Sequence, residues 1–324
     1  MHGKDIKTKI LESIVKHVHF DEEEIASWIA KLIHKYKFHE ANYIKYFTFW
    51  EKKGFHITPN HFYQPIPDTR TLKNDLWEKE SELVGVDMNT DLQLDLLRNV
   101  FPRYSEEYNN FPQERTDVPY EFHFNNGMFD GVDALVLYCM VRHFRPKMII
   151  EVGSGYSTFV SAKASLRNRN TKLMCIEPYP NETLKQGFPG LTELITKKVE
   201  DINLDFFSRL ESGDILFIDT SHVIKIGGDV NFLYLEVIPR LKKGVIVHIH
   251  DIFFPKEYPK SWVLDEYRFW TEQYLLQAFL AFNTAFEILF CNSYMGLKYP
   301  SEMKSTFPHS PWLYGGSIWI RKNM

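Results

Sequence analysis

Acidic and imidazole side chains gather at two points of the sequence where an apolar run ends. The segment FIDTSH places Asp219 after one such run and His222 three residues later. The segment GVIVHIHDIFFP ends another run at His250 and Asp251, with His248 two residues earlier. Two carboxylates and two imidazoles at one place could supply a general base, a divalent metal site or both. These residues are therefore the first candidates for catalysis.

The histidines of the second segment are expected to play different parts. His248 alternates with apolar residues in a run typical of a buried strand, which predicts a core histidine. His250 and Asp251 fall at the strand's tip, where polar groups without a ligand would need water or partners of their own. Asp219, His250 and Asp251 are the predicted catalytic residues and metal ligands, with His222 as a weaker ligand candidate. Such a set meets the preferences of iron, manganese or magnesium only loosely.

A strand, a tight turn and a helix start are predicted over Met148–Thr158, whose sequence is MIIEVGSGYST. Glycine accepts positive φ and lets the backbone approach a ligand, so Gly153 and Gly155 could border a nucleotide-like molecule. No third glycine follows, which disfavours a dinucleotide fingerprint. Glu151 beside the turn suits a cationic ligand that carries an amino acid, such as S-adenosylmethionine (SAM). A turn that needs glycine for its geometry alone is the other interpretation.

The next two predicted strands also end in acids. Glu177, in CIEPYP, follows the glycine turn by some 20 to 26 positions and could accept both hydroxyls of a ribose. Pro178 starts the next segment. Glu200 or Asp201 closes the third strand and could accept a hydrogen bond from an adenine amino group.

Strands and helices alternate from Lys147 onward, which predicts a mostly parallel sheet covered on both faces. The predicted strands lie near Met148–Val152, Lys172–Glu177, Glu193–Val199, Asp214–Asp219, Gly244–His250, Phe286–Cys291 and Ser317–Arg321. The predicted helices lie near Asp87–Val100, Gly131–Phe144, Ser157–Leu166, Leu204–Glu211, Asp229–Arg240 and Ser261–Phe282. Ligands of such sheets bind at the carboxyl ends of the strands. Because the fourth and fifth strands are expected to be neighbours, their terminal acids and histidines should converge.

The chain before this region divides into two parts. Residues 1–54 are predicted to form two or three amphipathic helices, either a surface for a homodimer or a lid over the acceptor pocket. Residues 55–124 form a connecting segment in which Pro59, Pro65 and Pro67 forbid a regular helix. Its aromatic rings are expected either to pack against a neighbour or to wall a pocket with His61 or Tyr63. The remaining residues, 125–324, form the α/β domain.

Composition excludes several partners. The chain has 324 residues with 44% apolar side chains and a formal charge of −4, so no basic surface recommends nucleic acid. Three separated cysteines without a C-x-x-C motif favour a reducing cytoplasm. The charged N-terminal stretch disfavours a signal peptide, and the absence of 18 consecutive apolar residues disfavours a membrane span.

Several motifs together carry a family resemblance. EVGSGYST, the strand-ending Glu177, VEDI, DILFIDTSH and GVIVHIHDIFFP resemble the class I SAM-dependent methyltransferases, in particular a bacterial small-molecule branch, over about Asn125–Arg321. The resemblance implies a doubly wound, seven-stranded Rossmann-like sheet preceded by an N-terminal helical extension. GGSIWIRK would be its last strand, inserted antiparallel between the fifth and sixth strand positions.

The resemblance also implies a cofactor site. Glu151, Gly153, Ser154 and Gly155 would surround the methionine portion, Glu177 the ribose, and Glu200 or Asp201 the adenine. The predicted cofactor-binding set is completed by Ser157, Pro178 and Asp219. Related metal-dependent O-methyltransferases place acidic ligands at positions that match Asp219 and the pair His250–Asp251. That pair is commonly acid–acid or acid–amide, so His250 departs from the pattern and favours histidine as the base.

The resulting hypothesis is an O-methyltransferase that uses SAM, with or without a divalent metal, to methylate a hydroxyl of a sugar, a phenol or a natural product. One alternative is a metal-dependent oxygenase or hydrolase whose ligands are Asp219, His222, His250 and Asp251. Another is a non-catalytic module that binds the cofactor.

Overall fold

The computed structural model describes residues 21–40 and 42–324. The chain divides into two compact units, of which the first ends at Leu72 and the second begins at Lys73. The predicted helix between Ile6 and Val18 lies outside the described residues. In the first unit, helix α1 spans Glu22–Lys35, helix α2 spans Tyr43–Glu51, and a short 3-10 turn spans Thr69–Thr71. The acidic first turn and basic last turn of α1 match the helix dipole.

A seven-stranded sheet organises the second unit. Its strands are β1 (Met148–Val152), β2 (Lys172–Ile176), β3 (Glu193–Ile195), β4 (Ile215–Ile218), β5 (Ile246–His250), β6 (Phe286–Cys291) and β7 (Ser317–Lys322). Their order is β3-β2-β1-β4-β5-β7-β6. All the pairs are parallel except those of β7, which is antiparallel to both β5 and β6. The predicted Rossmann-like sheet, with its inserted last strand, is confirmed.

Both faces of the sheet are covered. Ile149 of β1 packs in a core that includes Leu135 and Phe159, from the helices on one face. Its neighbour Ile150 packs with Leu233 and Leu276 on the other. Because successive strand side chains point to opposite faces, the apolar run Met148–Val152 serves both cores.

The helices of the second unit are mostly short. They are α3 (Asp75–Glu78), α4 (Thr90–Asp95), α5 (Ser105–Tyr108), α6 (Gly131–Phe144), α7 (Tyr156–Asn168), α8 (Glu182–Gln186), α9 (Asp229–Phe232), α10 (Lys260–Leu264), α11 (Glu272–Leu280), α12 (Asn292–Lys298) and α13 (Pro300–Thr306). Short 3-10 helices span Phe101–Tyr104, Val199–Asp201, Leu204–Arg209 and Ile238–Arg240. None of the helices in the described ranges is long and apolar enough to cross a membrane.

Some predicted helices are interrupted. The predicted helix Ser261–Phe282 is two helices, α10 and α11, separated by a loop in which Tyr267 adopts φ 56°. Two π-helical segments, Leu96–Val100 and Leu233–Val237, end two residues before Pro102 and Pro239. Because proline lacks an N–H and its ring crowds the preceding turn, the regular α-helical ladder cannot continue there. The helices α3, α5, α8, α12 and α13 were not predicted.

Candidate functional site

The glycine turn, residues 153–155, lies where β1 meets two neighbouring strand ends. Gly153 has φ 80°, and its N–H donates to Ile176 O at 3.0 Å. A Cβ at this position would lie 1.6 Å from the backbone oxygen of Asp219. Glycine is therefore required because the β1 and β4 ends nearly touch, a reason that the sequence alone did not reveal.

The Glu151 side chain forms hydrogen bonds with the residues that follow the glycine turn. Its Oε1 accepts hydrogen bonds from the hydroxyls of Thr158 at 2.6 Å and Ser157 at 2.9 Å. The Thr158 hydroxyl in turn accepts from Gly155 N–H at 3.0 Å. The Glu151 side chain is buried, and burial raises its pKa to about 7. Glu151 thus ties the turn to the start of α7.

Replacing Glu151 with glutamine should weaken the dependence of stability on pH. The carboxyl pKa is about 7 in the folded protein against an ordinary 4.5, so the folded state retains a proton that the unfolded state releases. That stabilisation is complete below about pH 4.5 and is lost as the pH rises to about 7. Glutamine does not ionise. The free energy of unfolding of the variant, relative to that of the wild type, should therefore rise by roughly 2 to 3 kcal/mol between about pH 5 and about pH 8. Urea unfolding at both pH values measures this gain, and parallel pH profiles would contradict a protonated Glu151.

A cavity of about 340 Å³ opens at the carboxyl ends of β1, β2 and β4, and we call it the strand-end cavity. Of the predicted cofactor residues, those that line it are Gly153, Glu177, Pro178, Glu200 and Asp219. Lys198 and Lys225 also line it and were not predicted. The predicted residues that are not part of the lining are Glu151, Ser154, Gly155, Ser157 and Asp201.

Glu177 reaches back to the glycine turn. Its Oε2 accepts from Ser154 N–H at 3.2 Å, and its Oε1 accepts from Tyr179 N–H at 2.8 Å. Each carboxylate oxygen has a second lone pair, so acceptor capacity remains for a ligand. The acid that closes β2 and the turn that follows β1 therefore border one space.

The acids and histidines after β4 and β5 also come together, and we call Asp219, His222, His250 and Asp251 the polar cluster. His222 Nε2 lies 3.2 Å from Asp219 Oδ1 and 3.3 Å from Asp251 Oδ2. His250 Nε2 lies 3.7 Å from Asp251 Oδ1, which is beyond hydrogen-bond distance. The side chains of His222, His250 and Asp251 are 5%, 8% and 13% exposed, against 29% for Asp219. The cluster is therefore most open at Asp219, which also lines the strand-end cavity.

In the polar cluster, burial and the neighbouring opposite charges shift the pKa values in opposite directions. Burial raises the pKa of Asp251 to about 6. Burial would also raise the pKa of Asp219, but His250 and His222 hold it below its ordinary value. For His222, burial acts to lower the pKa, yet hydrogen bonds with Asp219 and Glu272 raise it well above the ordinary value. The carboxylates around His222 therefore favour the charged form of its ring.

The polar cluster also contains unusual backbone. His222 and Asp251 both have φ 57°, in the left-handed region that residues other than glycine rarely adopt. The carbonyl of His222 is held by the N–H groups of Thr271 at 2.9 Å and Glu272 at 3.1 Å. Such conformations concentrate at functional sites, where surrounding contacts maintain them.

His248 lies behind this cluster. It is fully buried, and its ring stacks on Phe217 at 4.2 Å and contacts Trp319 at 4.5 Å. Burial lowers its pKa well below the ordinary value. This placement matches the core histidine that the strand alternation predicts. His250 is packed against Phe129 at a centroid distance of 4.8 Å.

Two residues of the site were missed. Glu272 begins α11, with Oε2 2.8 Å from His222 Nδ1, and Trp270 lies 4.4 Å from the His222 ring. Both fall inside the stretch predicted as one long helix, where neither marks a strand end. The break at Tyr267, which brings them over the sheet, had no signal in the sequence.

Comparisons with known proteins agree with this architecture. A protein-family model described as a methyltransferase domain matches residues 150–252. An uncharacterized protein from Archaeoglobus fulgidus is 34% identical over 169 residues, which cover 48% of this chain and 75% of that protein.

Solved structures with similarity include three methyltransferases. An SAH-bound methyltransferase from Podospora anserina has 14% identity and a TM-score of 0.40, with 73% of this chain and 94% of that chain covered. The O-methyltransferase of tomaymycin synthesis from Streptomyces achromogenes, in complex with SAM, has 12% identity and a TM-score of 0.38, with coverage of 78% and 100%. An O-methyltransferase from Bacillus cereus, in complex with SAH, has 14% identity and a TM-score of 0.37, with coverage of 71% and 90%.

The sheet order, with its antiparallel strand between β5 and β6, and the cavity at the strand ends define a Rossmann-like enzyme fold of the methyltransferase type. The matched family model spans the glycine turn, Glu177 and the whole polar cluster. The chain therefore contains a methyltransferase domain over residues 150–252.

Proposed function

We propose that this protein transfers the methyl group of SAM to a hydroxyl of a small-molecule acceptor. One observation carries the proposal: Asp219 lies both in the wall of the strand-end cavity and in the polar cluster. A methyl donor in the cavity would therefore border the groups that can remove or weaken a hydroxyl proton.

The cofactor would occupy the strand-end cavity. Glu177 would accept hydrogen bonds from the ribose hydroxyls, and Glu200, which also lines the cavity, would accept one from the adenine amino group. The methionine portion would lie along the glycine turn, near Asp219. The volume of about 340 Å³ falls within the range of small-molecule pockets. Since the sulfonium methyl is already activated, positioning is the main contribution required of the protein.

A divalent metal fits the polar cluster. Asp219, His222 and Asp251 each offer a ligand atom, and the three atoms lie within 4.8 Å of one another. His250 is outside this group, so it remains a candidate base and is a less suitable ligand than His222. Magnesium, manganese or iron accepts such a mixed set. When bound, the metal would act as a Lewis acid that lowers the pKa of the acceptor hydroxyl.

In the absence of a metal, the same residues can still orient the acceptor. Asp219 and Asp251 can accept the hydroxyl hydrogen bond, and His222 or His250 can take up the proton once it is in the neutral form. Trp270 and Phe129, which pack on the two imidazoles, would help to exclude water from the reacting hydroxyl. A metal-dependent oxygenase or hydrolase would use the polar cluster too, but it gives no role to the adjoining cavity.

Titration of the purified protein with SAM and its demethylated product, with and without magnesium, tests the proposal. We expect binding of both by calorimetry, followed by transfer of a labelled methyl group to one of a panel of sugars, phenols and natural products. Changing Glu177 to alanine should weaken cofactor binding by about 10- to 100-fold, because it removes charge-assisted hydrogen bonds. Failure of the wild type to bind SAM would overturn the proposal. Binding without transfer to any hydroxyl compound would indicate a non-catalytic module instead.

A further inference from the structure

A buried carboxylate outside the predicted site touches the polar cluster. Glu272 is the first residue of α11, and none of its side chain is exposed. Glutamate is almost never fully buried unless it is paired, because an ionised carboxylate loses its hydration on burial. The position therefore requires a partner, and that partner is His222.

Three contacts join Glu272 and its neighbour to His222. Glu272 Oε2 lies 2.8 Å from His222 Nδ1. The N–H groups of Thr271 and Glu272 donate to the carbonyl of His222 at 2.9 and 3.1 Å. The start of α11 thus holds both the backbone and the ring of a residue in the left-handed region.

The contact decides which ring nitrogen faces the site. A carboxylate can only accept, so the proton between the two groups stays on Nδ1. Nε2 is then directed between Asp219 and Asp251, at 3.2 and 3.3 Å. Hydrogen bonds of this kind fix the tautomer and the ring orientation of functional histidines.

The remaining surroundings of Glu272 do not supply an alternative partner. Its Oε1 and the hydroxyl of Tyr234 are both buried without a hydrogen-bond partner among the described residues. Burial raises the pKa of Tyr234 well above its ordinary value, and the charge of Glu272 acts in the same direction. His222 is the only ion-pair partner of Glu272 within residues 21–40 and 42–324.

We propose that Glu272 is a positioning residue, which holds His222 with Nε2 toward Asp219 and Asp251 and so sets the geometry of the methyl-transfer site. The inference rests on the proposed function for its catalytic consequence. The placement of the proton on Nδ1 does not depend on that function, and it can be tested separately.

Nuclear magnetic resonance of protein labelled with ¹⁵N-histidine, in the presence of EDTA, tests the placement. We expect a proton on His222 Nδ1 that is strongly deshielded and protected from exchange, assigned by its loss in His222→Ala. It should disappear in Glu272→Ala and persist in Gln273→Ala. Gln273 is a matched control because it is also buried at the start of α11 but bonds to Phe253, Tyr258 and Glu257 instead. Persistence of the signal in Glu272→Ala would overturn the proposal.

A double-mutant cycle then tests the effect on methyl transfer. Glu272→Ala should lower kcat by about 10- to 100-fold, as is usual for groups that orient a functional histidine, with SAM affinity changed less than about twofold. In a His222→Ala background the same change should have almost no further effect, because Glu272 acts through that ring. Additive losses in the cycle would show that Glu272 acts independently of His222. Absence of any turnover in the wild type would reject the proposed function while leaving the resonance result to decide the role of Glu272.

Discussion

Replacing Gly153 with valine is expected to prevent the second unit from folding. The new Cβ would lie 1.6 Å from the backbone oxygen of Asp219, and φ 80° is unfavourable for a β-branched residue. Neither strand end can retreat, because Gly153 N–H is bonded to Ile176 O and Asp219 N–H to Val152 O. We expect a loss of more than about 4 kcal/mol in the free energy of unfolding. Circular dichroism and urea unfolding measure it.

Gly155 provides the matched control for this prediction. It is the other glycine of the same turn, yet a Cβ there would meet no atom within 4 Å. Gly155→Ala should therefore fold with nearly wild-type stability, and any loss of SAM affinity would report ligand contact alone. Equal destabilisation by the two changes would contradict the explanation from close approach of β1 and β4.

Replacing Asp219 with asparagine is expected to remove most of the methyl-transfer activity while the fold remains. The Asp219 side chain lines the strand-end cavity and also belongs to the polar cluster. Asparagine has nearly the same shape as aspartate but carries no charge. Loss of one charged group beside the reacting hydroxyl should lower kcat on the order of 10²- to 10⁴-fold. Single-turnover transfer of labelled methyl to the acceptor found by screening measures this loss.

Glu200 is the control for charge in the cavity. It lines the same cavity, but it is not part of the polar cluster. Glu200→Gln should weaken SAM binding with kcat at saturating SAM unchanged. If Asp219→Asn left kcat unchanged while weakening SAM binding, Asp219 would be a cofactor contact alone.

Much of the fold was predictable because it depends on local pattern. The apolar runs, the glycine turn and the regular alternation of helices determine a parallel sheet, and the position of β7 followed from the family resemblance. The approach of Asp219, His222, His250 and Asp251 was also predictable. In a parallel sheet the carboxyl ends of adjacent strands share one edge, so residues that end β4 and β5 must be neighbours.

Other features depend on contacts between distant segments. The pattern could not show that Glu151 points toward Ser157 and Thr158 rather than into the cavity. Glu272 was hidden because its place depends on a loop break at Tyr267, which follows from tertiary packing and not from a glycine or proline. Pro102 and Pro239 are the opposite case. Both are visible in the sequence, but the π-helical segments that precede them were not predicted.

The insertion of β7 between β5 and β6 has a consequence during synthesis on the ribosome. Residues 317–322 emerge after every other strand of the sheet, and both β5 and β6 form their only antiparallel pairs with them. A nascent chain that has not reached Ser317 therefore leaves one edge of β5 and one edge of β6 without backbone partners, and such edges promote association between chains. Because His250 pairs with Ser317, the half of the site that carries Asp251 acquires its final support only after residues 317–322 have been synthesised.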